Sequence, residues 1–116
     1  MSSVEPPRLR EPTYFILAAL LDGPLHGYGI IRRAAELSDG AVRPTAGTLY
    51  GALDRLADQG LVVVDREETV SGRRRRYYRL TSAGAAALTA EAARMRRAVA
   101  AVELRGVGFR GVGQSA

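Results

Sequence analysis

The chain has no cysteine, no tryptophan, no lysine and a single histidine, His26. Without cysteine there is no disulfide, no thiolate metal ligand and no cysteine nucleophile, which fits a reducing cytoplasm. One histidine, flanked by Leu25 and Gly27 and with no acidic residue close in sequence, does not make a general base with an orienting partner and a nucleophile. The 12 acidic residues are scattered, so no metal-ligand spacing stands out. An enzyme is not expected, nor a cofactor or metal; His26 is expected to cap a helix or pack in the core. Long apolar runs are missing as well. Tyr14 to Leu21 is the longest, far below the roughly 20 residues that span a bilayer. Residues 1–12 contain three prolines and charges of both signs but no apolar signal core. They predict a flexible arm and no export signal, hence a cytoplasmic, membrane-free protein. The Gly-rich tail, 106–116, predicts disorder, and its Gly-Val-Gly pairs lack the strand-turn-helix setting of a phosphate loop.

What the chain does have is arginine. All 17 basic residues are Arg; against 12 acidic ones they leave a net charge of +5 in 116 residues. A length of this order predicts one domain, and a basic excess suggests a polyanionic partner. An Ala- and Arg-rich coding bias accounts for Arg over Lys, but less well for the run Arg73 to Arg76.

The pattern along the chain is helix-rich, then β, then helix. Thr13 to Asp22 predicts a short buried helix, broken by Gly23-Pro24. Tyr28 to Ser38 predicts a second, with Ile30, Ala34 and Leu37 on one face and Arg32, Arg33 and Glu36 on the other. Thr45 to Gln59 predicts a third, entered at Pro44 or Thr45 and ended by Gly60. Its apolar stripe is Leu49, Leu53 and Leu56, flanked by Ala46 and Ala57. Leu61 to Asp65 reads as a strand, Thr69 to Gly72 as a turn, and Arg76 to Leu80 as the return strand, with Tyr77 and Tyr78 on opposite faces. Thr81 caps a long fourth helix.

A helix followed by a basic hairpin is the chemical layout of a winged helix-turn-helix. The helix can enter a DNA groove while the hairpin holds phosphates. The candidate DNA-binding set is Arg43, Thr45, Gly47, Thr48, Tyr50, Gly51 and Arg55 around the third helix, with Gly72, Arg73, Arg74, Arg75 and Arg76 at the hairpin tip. The guanidinium fork suits phosphate oxygens. Thr48 and Tyr50 can donate to phosphates or bases. Gly47 and Gly51, one turn apart, cost about 1 kcal/mol each relative to Ala, which suggests that something approaches the backbone closely, or that the glycines pack against a neighbouring element. The helix itself is neutral, Arg43 and Arg55 against Asp54 and Asp58, so the tip supplies most of the attraction. The arginines could instead form a solvated turn that pairs with Glu67 and Glu68.

In the fourth helix Leu88, Ala92, Met95, Val99 and Val102 follow 4-3-4-3 spacing, a narrow seam that predicts pairing with a second copy. A homodimer presents two reading helices to a palindromic double-stranded site. A winged-helix module for protein–protein contacts, without sequence-specific DNA binding, is the alternative. RNA binding asks for exposed aromatics on which bases stack, and only Tyr50, Tyr77 and Tyr78 are available.

Taken together, several segments resemble the PadR family of transcriptional regulators. They are Leu25-His26-Gly27-Tyr28-Gly29-Ile30, Gly47-Thr48-Leu49-Tyr50 with Leu53, Arg55 and Leu56, and Gly60-Leu61-Val62. Gly72-Arg73, Arg75-Arg76-Tyr77-Tyr78, Leu80-Thr81, Gly84 and Leu88 continue the series in the family's order. The resemblance covers roughly residues 13–90. It implies an α+β, mostly helical winged helix-turn-helix domain over 13–81 and a single C-terminal dimerisation helix over 82–105. It also implies a repressor that responds to a small aromatic or drug-like effector. By position Thr45, Thr48 and Tyr50 would belong to the reading helix, Gly72 to Arg76 to the wing tip, and His26 and Tyr28 would be mainly structural. Gly51 stands where the family usually has proline, and Arg74 where a wing proline is common. With no tryptophan, an effector pocket would have to use Tyr14, Phe15, Met95 and Val99.

Overall fold

The computed structural model describes residues 6–106. In chain order the elements are α1 (Glu11–Ala19), β1 (Leu25–His26), α2 (Gly27–Leu37), α3 (Ala46–Asp58), β2 (Val62–Val70), β3 (Arg73–Leu80) and α4 (Ser82–Glu103). The strands form one antiparallel sheet in the order β1-β3-β2. This is the α+β winged helix-turn-helix arrangement with a long last helix that the sequence predicts.

Apolar periodicity builds the core. Leu49, Ala52, Leu53 and Leu56 of α3 recur at i, i+3, i+4, i+7 and are all buried. Ala52 completes that stripe, whereas Ala46 and Ala57, expected beside it, are exposed. Ile16 and Leu17 of α1, Ile30 of α2, Leu61 and Val62 at the start of β2, and Tyr78 of β3 close around it. Each large aliphatic side chain buried there contributes about 1.5–3 kcal/mol.

The helix ends are specified locally. The His26 ring accepts from the Gly29 N–H to cap α2, Thr45 Oγ1 accepts from Thr48 to cap α3, and Thr81 Oγ1 accepts from Gly84 to cap α4. At the end of α3, Gly60 has φ 75°, and the Leu61 N–H reaches back to the Leu56 carbonyl. That left-handed exit turns the chain straight into β2.

The structure departs from the sequence reading in five places. First, α1 starts at Glu11. Leu9 packs on the core and donates its N–H to the Glu91 carboxylate at 3.1 Å, which anchors the chain at that residue. Second, Leu25 and His26 form a short third strand against Tyr78 and Tyr77. Third, the hairpin strands run almost to the tip. The turn is Ser71-Gly72 alone, both with positive φ (53° and 78°), and Arg73 to Arg76 belong to β3. A two-residue loop of that conformation matches the twist of its strands. Fourth, Leu88 is 5% exposed and sits in the chain's own core, so the proposed seam begins only beyond it. Fifth, Tyr28 is 72% exposed and is no structural core residue. The tail beyond Gly106 and residues 1–5 lie outside the described residues.

Candidate nucleic-acid interface

The hairpin and α3 converge on one surface. Ladder pairing of Val70 with Arg73 and Glu67 with Arg76 carries the arginine strand outward past β1, whose pairing stops at Tyr77. Beyond that point Arg73 to Arg76 border a hollow of about 270 Å³, shared with Tyr28 at the start of α2 and with Ala46 and Tyr50 of α3. Strand alternation divides the arginines. Arg74 and Arg76 lie on the side of Tyr78, which faces the core and α3. Arg73 and Arg75 lie on the side of Tyr77.

The two pairs differ in charge state. Arg74 and Arg76 share one carboxylate, Glu67, at 3.5 and 3.3 Å. Arg73 and Arg75 have no acidic partner among the described residues, and Arg73 is exposed. On the Tyr77 side the neighbouring acid, Glu68, is engaged elsewhere. It accepts from the Tyr77 hydroxyl at 2.8 Å and pairs with Arg66 at 3.6 Å, and Arg66 in turn lies 3.9 Å over the Tyr77 ring. Exposed ion pairs of this kind are weak and salt-sensitive, so a phosphate can displace them.

Gly47, Thr48 and Tyr50 are exposed on the first turns of α3. A Cβ at Gly47 would meet nothing within 4 Å, and one at Gly51 only the Arg55 guanidinium at 3.8 Å. The glycines are therefore not there for packing within the chain; they leave a bare flank open to the outside. Thr45 and Thr48 bond to each other, Oγ1 to Oγ1 at 3.0 Å, which fixes the first turn. Tyr50 has its ring tip against Gly27. A Cβ at Gly27 would come within 2.5 Å of the Tyr50 hydroxyl, so Gly27 makes the seat in which that tyrosine lies.

Arg43 and Arg55 are exposed but stand apart from the tip. The Arg43 guanidinium lies over the Gly40 backbone. Arg55 faces a crevice it shares with Arg8 and Arg10. The sequence reading puts Arg8 and Arg10 in the arm and gives His26 and Tyr28 structural places; the structure sets the first two beside Arg55 and the other two on the border of the arginine hollow. The only signal for Tyr28 was its place on the polar side of α2. For RNA-type stacking the structure removes Tyr78, which is 3% exposed, and covers Tyr77 with Arg66.

The second candidate site lies on α4. Tyr14, Ala92, Met95, Arg96, Val99 and Glu103 line a shallow hollow of about 500 Å³. Phe15 does not line it; its ring meets that of Tyr14 edge-on at 5.2 Å. Val99 and Val102 are 55% and 50% exposed. No helix among the described residues is long and apolar enough to cross a membrane.

Residues 16–90 match the PadR-like family of transcriptional regulators. The chain is 45% identical over 74 residues to Transcriptional regulator Rv3488 of Mycobacterium tuberculosis, covering 64% of this chain and 65% of that protein. It is 41% identical over 90 residues to an uncharacterised 37.1 kDa protein of a Streptomyces fradiae transposon, covering 78% of this chain. It thus spans 65% and 24% of these two relatives' lengths. Among solved structures it resembles Bacillus subtilis PadR in complex with operator DNA, at 27% identity and a TM-score of 0.61, over 69% of this chain and 45% of that one. It also resembles a PadR-family regulator from Eggerthella lenta, at 27% identity and a TM-score of 0.64, over 78% of this chain and 77% of that one. With a buried α3 stripe, an arginine hairpin beside its exposed first turns and the family match over most of the described residues, the chain belongs to the PadR-like family of transcriptional regulators.

Proposed function

We propose that the chain is a homodimeric repressor that binds a palindromic double-stranded DNA operator in the cytoplasm and is released by a small aromatic or drug-like effector. The observation that carries the DNA reading is the juxtaposition of four arginines with the bare, exposed first turns of α3. A relative with the same fold is seen bound to its operator. Gly72 to Arg76 hold the phosphate backbone, and Thr48 and Tyr50, with the open flank of Gly47 and Gly51, meet the groove. Thr45 sets the first turn. Arg43 and Arg55 reach phosphates at its borders.

Dimerisation is supported by the second half of α4, where Val99 and Val102 lie exposed on the same seam as Ala92 and Met95. Leu88 is already used by the core, so the pairing surface is Ala92, Met95, Val99 and Val102. Two copies would place their reading helices about one DNA turn apart, ~34–36 Å. The hollow bordered by Tyr14, Met95 and Val99 would then adjoin the partner copy, which makes it the effector site.

The test is a fluorescence anisotropy titration against operator fragments selected from random DNA, with mass measured in solution alongside. The parent should be a dimer and bind with steep salt dependence. Replacing Arg73 to Arg76 by Ala should weaken binding to every sequence and flatten the log–log salt slope by about one for each phosphate no longer neutralised. Replacing Thr48 should lower operator binding more than binding to unrelated DNA. A four-Ala variant that binds like the parent removes the wing assignment. A parent that shows no sequence preference favours the protein–protein module.

A further inference from the structure

The hairpin carries its own acid on the side that faces α3. β2 has an irregular step at Asp65: Val64 pairs with Tyr78, yet Arg66 pairs with Tyr77, leaving Asp65 as an extra residue. Such a bulge shifts every later side chain on the strand to the other face. Glu67 is thereby brought directly opposite Arg76. Its two oxygens engage Arg74 and Arg76 separately, and the three side chains border a hollow of about 320 Å³ with Tyr50, Asp54 and Tyr78. Glu68, one residue on, points to the other face and holds Tyr77 and Arg66 instead.

A carboxylate that chelates two guanidiniums beside a groove-reading helix occupies the role a DNA phosphate would take. Phosphate contacts supply affinity without sequence information, whereas base contacts supply the choice. We propose that Glu67 is an affinity-limiting residue of the hairpin, an internal competitor for phosphate. It keeps Arg74 and Arg76 partly neutralised in the free protein, so a phosphate must displace it before either arginine engages. This rests on the DNA-binding reading of the same surface. Two arginines, Arg73 and Arg75, remain free for the first, sequence-blind encounter. The other two engage only at the cost of breaking the Glu67 pairs, so every complex that uses them is weakened.

The experiment compares the parent with E67Q, E67A and E68Q on two duplexes, an unrelated sequence and a selected operator, across a salt series. E67Q and E67A should bind the unrelated duplex roughly tenfold more tightly, with a log–log salt slope steeper by about one to two. Operator affinity should rise at least as much, because the operator complex must also break the Glu67 pairs before Arg74 and Arg76 reach phosphate. E68Q makes the same charge change on the other face and should raise unrelated binding by no more than about threefold, through the general field alone. Thermal melting of E67Q should match the parent, because the pairs it removes are exposed. If E67Q and E67A behave as E68Q does, or bind the unrelated duplex no better than the parent, the proposal fails while the DNA-binding reading stands. A parent that binds neither duplex in a salt-dependent way overturns both.

Discussion

Two regions of this small protein are built by opposite means. Where β2 leaves α3 and meets the start of α4, position is fixed by packing and backbone bonds. The Leu61 carbonyl accepts from the Thr81 N–H at 3.1 Å, and the Thr81 hydroxyl donates to the Gly60 carbonyl at 2.6 Å. Gly84 lies so close that a Cβ there would be 2.0 Å from the Leu61 oxygen. At the outer surface of α3 and the hairpin nothing is packed that tightly. Gly47 faces open space, and the arginines are held by exposed ion pairs. One region spends its side chains on being a single shape. The other keeps its groups available for something outside the molecule.

Glycine substitutions break this comparison most directly. Gly84→Ala pushes a methyl group into a backbone carbonyl that cannot swing aside, and should destabilise by about 3 kcal/mol or more; a melting curve within a degree of the parent would disprove the close fit. Gly47→Ala is the same chemical change on the open flank. It should stabilise by up to about 1 kcal/mol, since a helical glycine is replaced where there is room. If the flank approaches DNA as proposed, that variant should nevertheless bind operator less well, and unchanged binding would separate the glycine from the interface.

The smallest effect belongs to His26, which caps α2 beside the arginine hollow. Its ring nitrogen accepts from the Gly29 N–H at 3.4 Å, which requires the neutral form. Burial first, and then the charges of Arg75 and Arg32, hold its pKa below the ordinary 6.5. The unfolded chain therefore takes up the proton at higher pH than the fold does. The stability from this cap is whole above about pH 6.5 and is lost as pH falls toward the folded-state value. His26→Asn keeps a capping acceptor that does not titrate, so the melting-temperature difference between parent and variant should change between pH 7 and pH 5, by no more than about 1 kcal/mol in stability. A difference that stays constant over that range would show that the cap does not depend on protonation.

Much of this is legible in the sequence, and the reasons are local. The α3 stripe, the caps at Thr45 and Thr81 and the Ser71-Gly72 turn each follow from periodicity or from a residue suited to one backbone conformation. The same reasoning finds the exposed half of the candidate interface, Gly47, Thr48, Tyr50 and Arg73 to Arg76. What it misses depends on distant partners. A two-residue strand such as β1 has no periodicity to read, so Leu25 and His26 look like a loop. The 4-3-4-3 seam on α4 says which side is apolar, not what covers it, and Leu88 is covered by its own domain. Leu9 and Glu91 are 82 residues apart, and nothing near either one announces the bond that pins the start of the chain to the last helix.

The bulge at Asp65 has a consequence of a different kind. Which acid lies under the arginines is set by where one extra residue is stored, not by which residue it is. Were β2 to pair straight through, with Asp65 opposite Tyr77, the surplus would pass along the strand into the turn. Glu67 would then fall opposite Arg75, on the Tyr77 side, and Glu68 opposite Arg74. The outer half of β2 would have turned over like a ribbon given a half twist. Two relatives with the same letters, one holding its surplus in the strand and the other at the tip, would therefore present inverted charge patterns to their DNA. Comparing such proteins by aligned letters alone would miss the inversion.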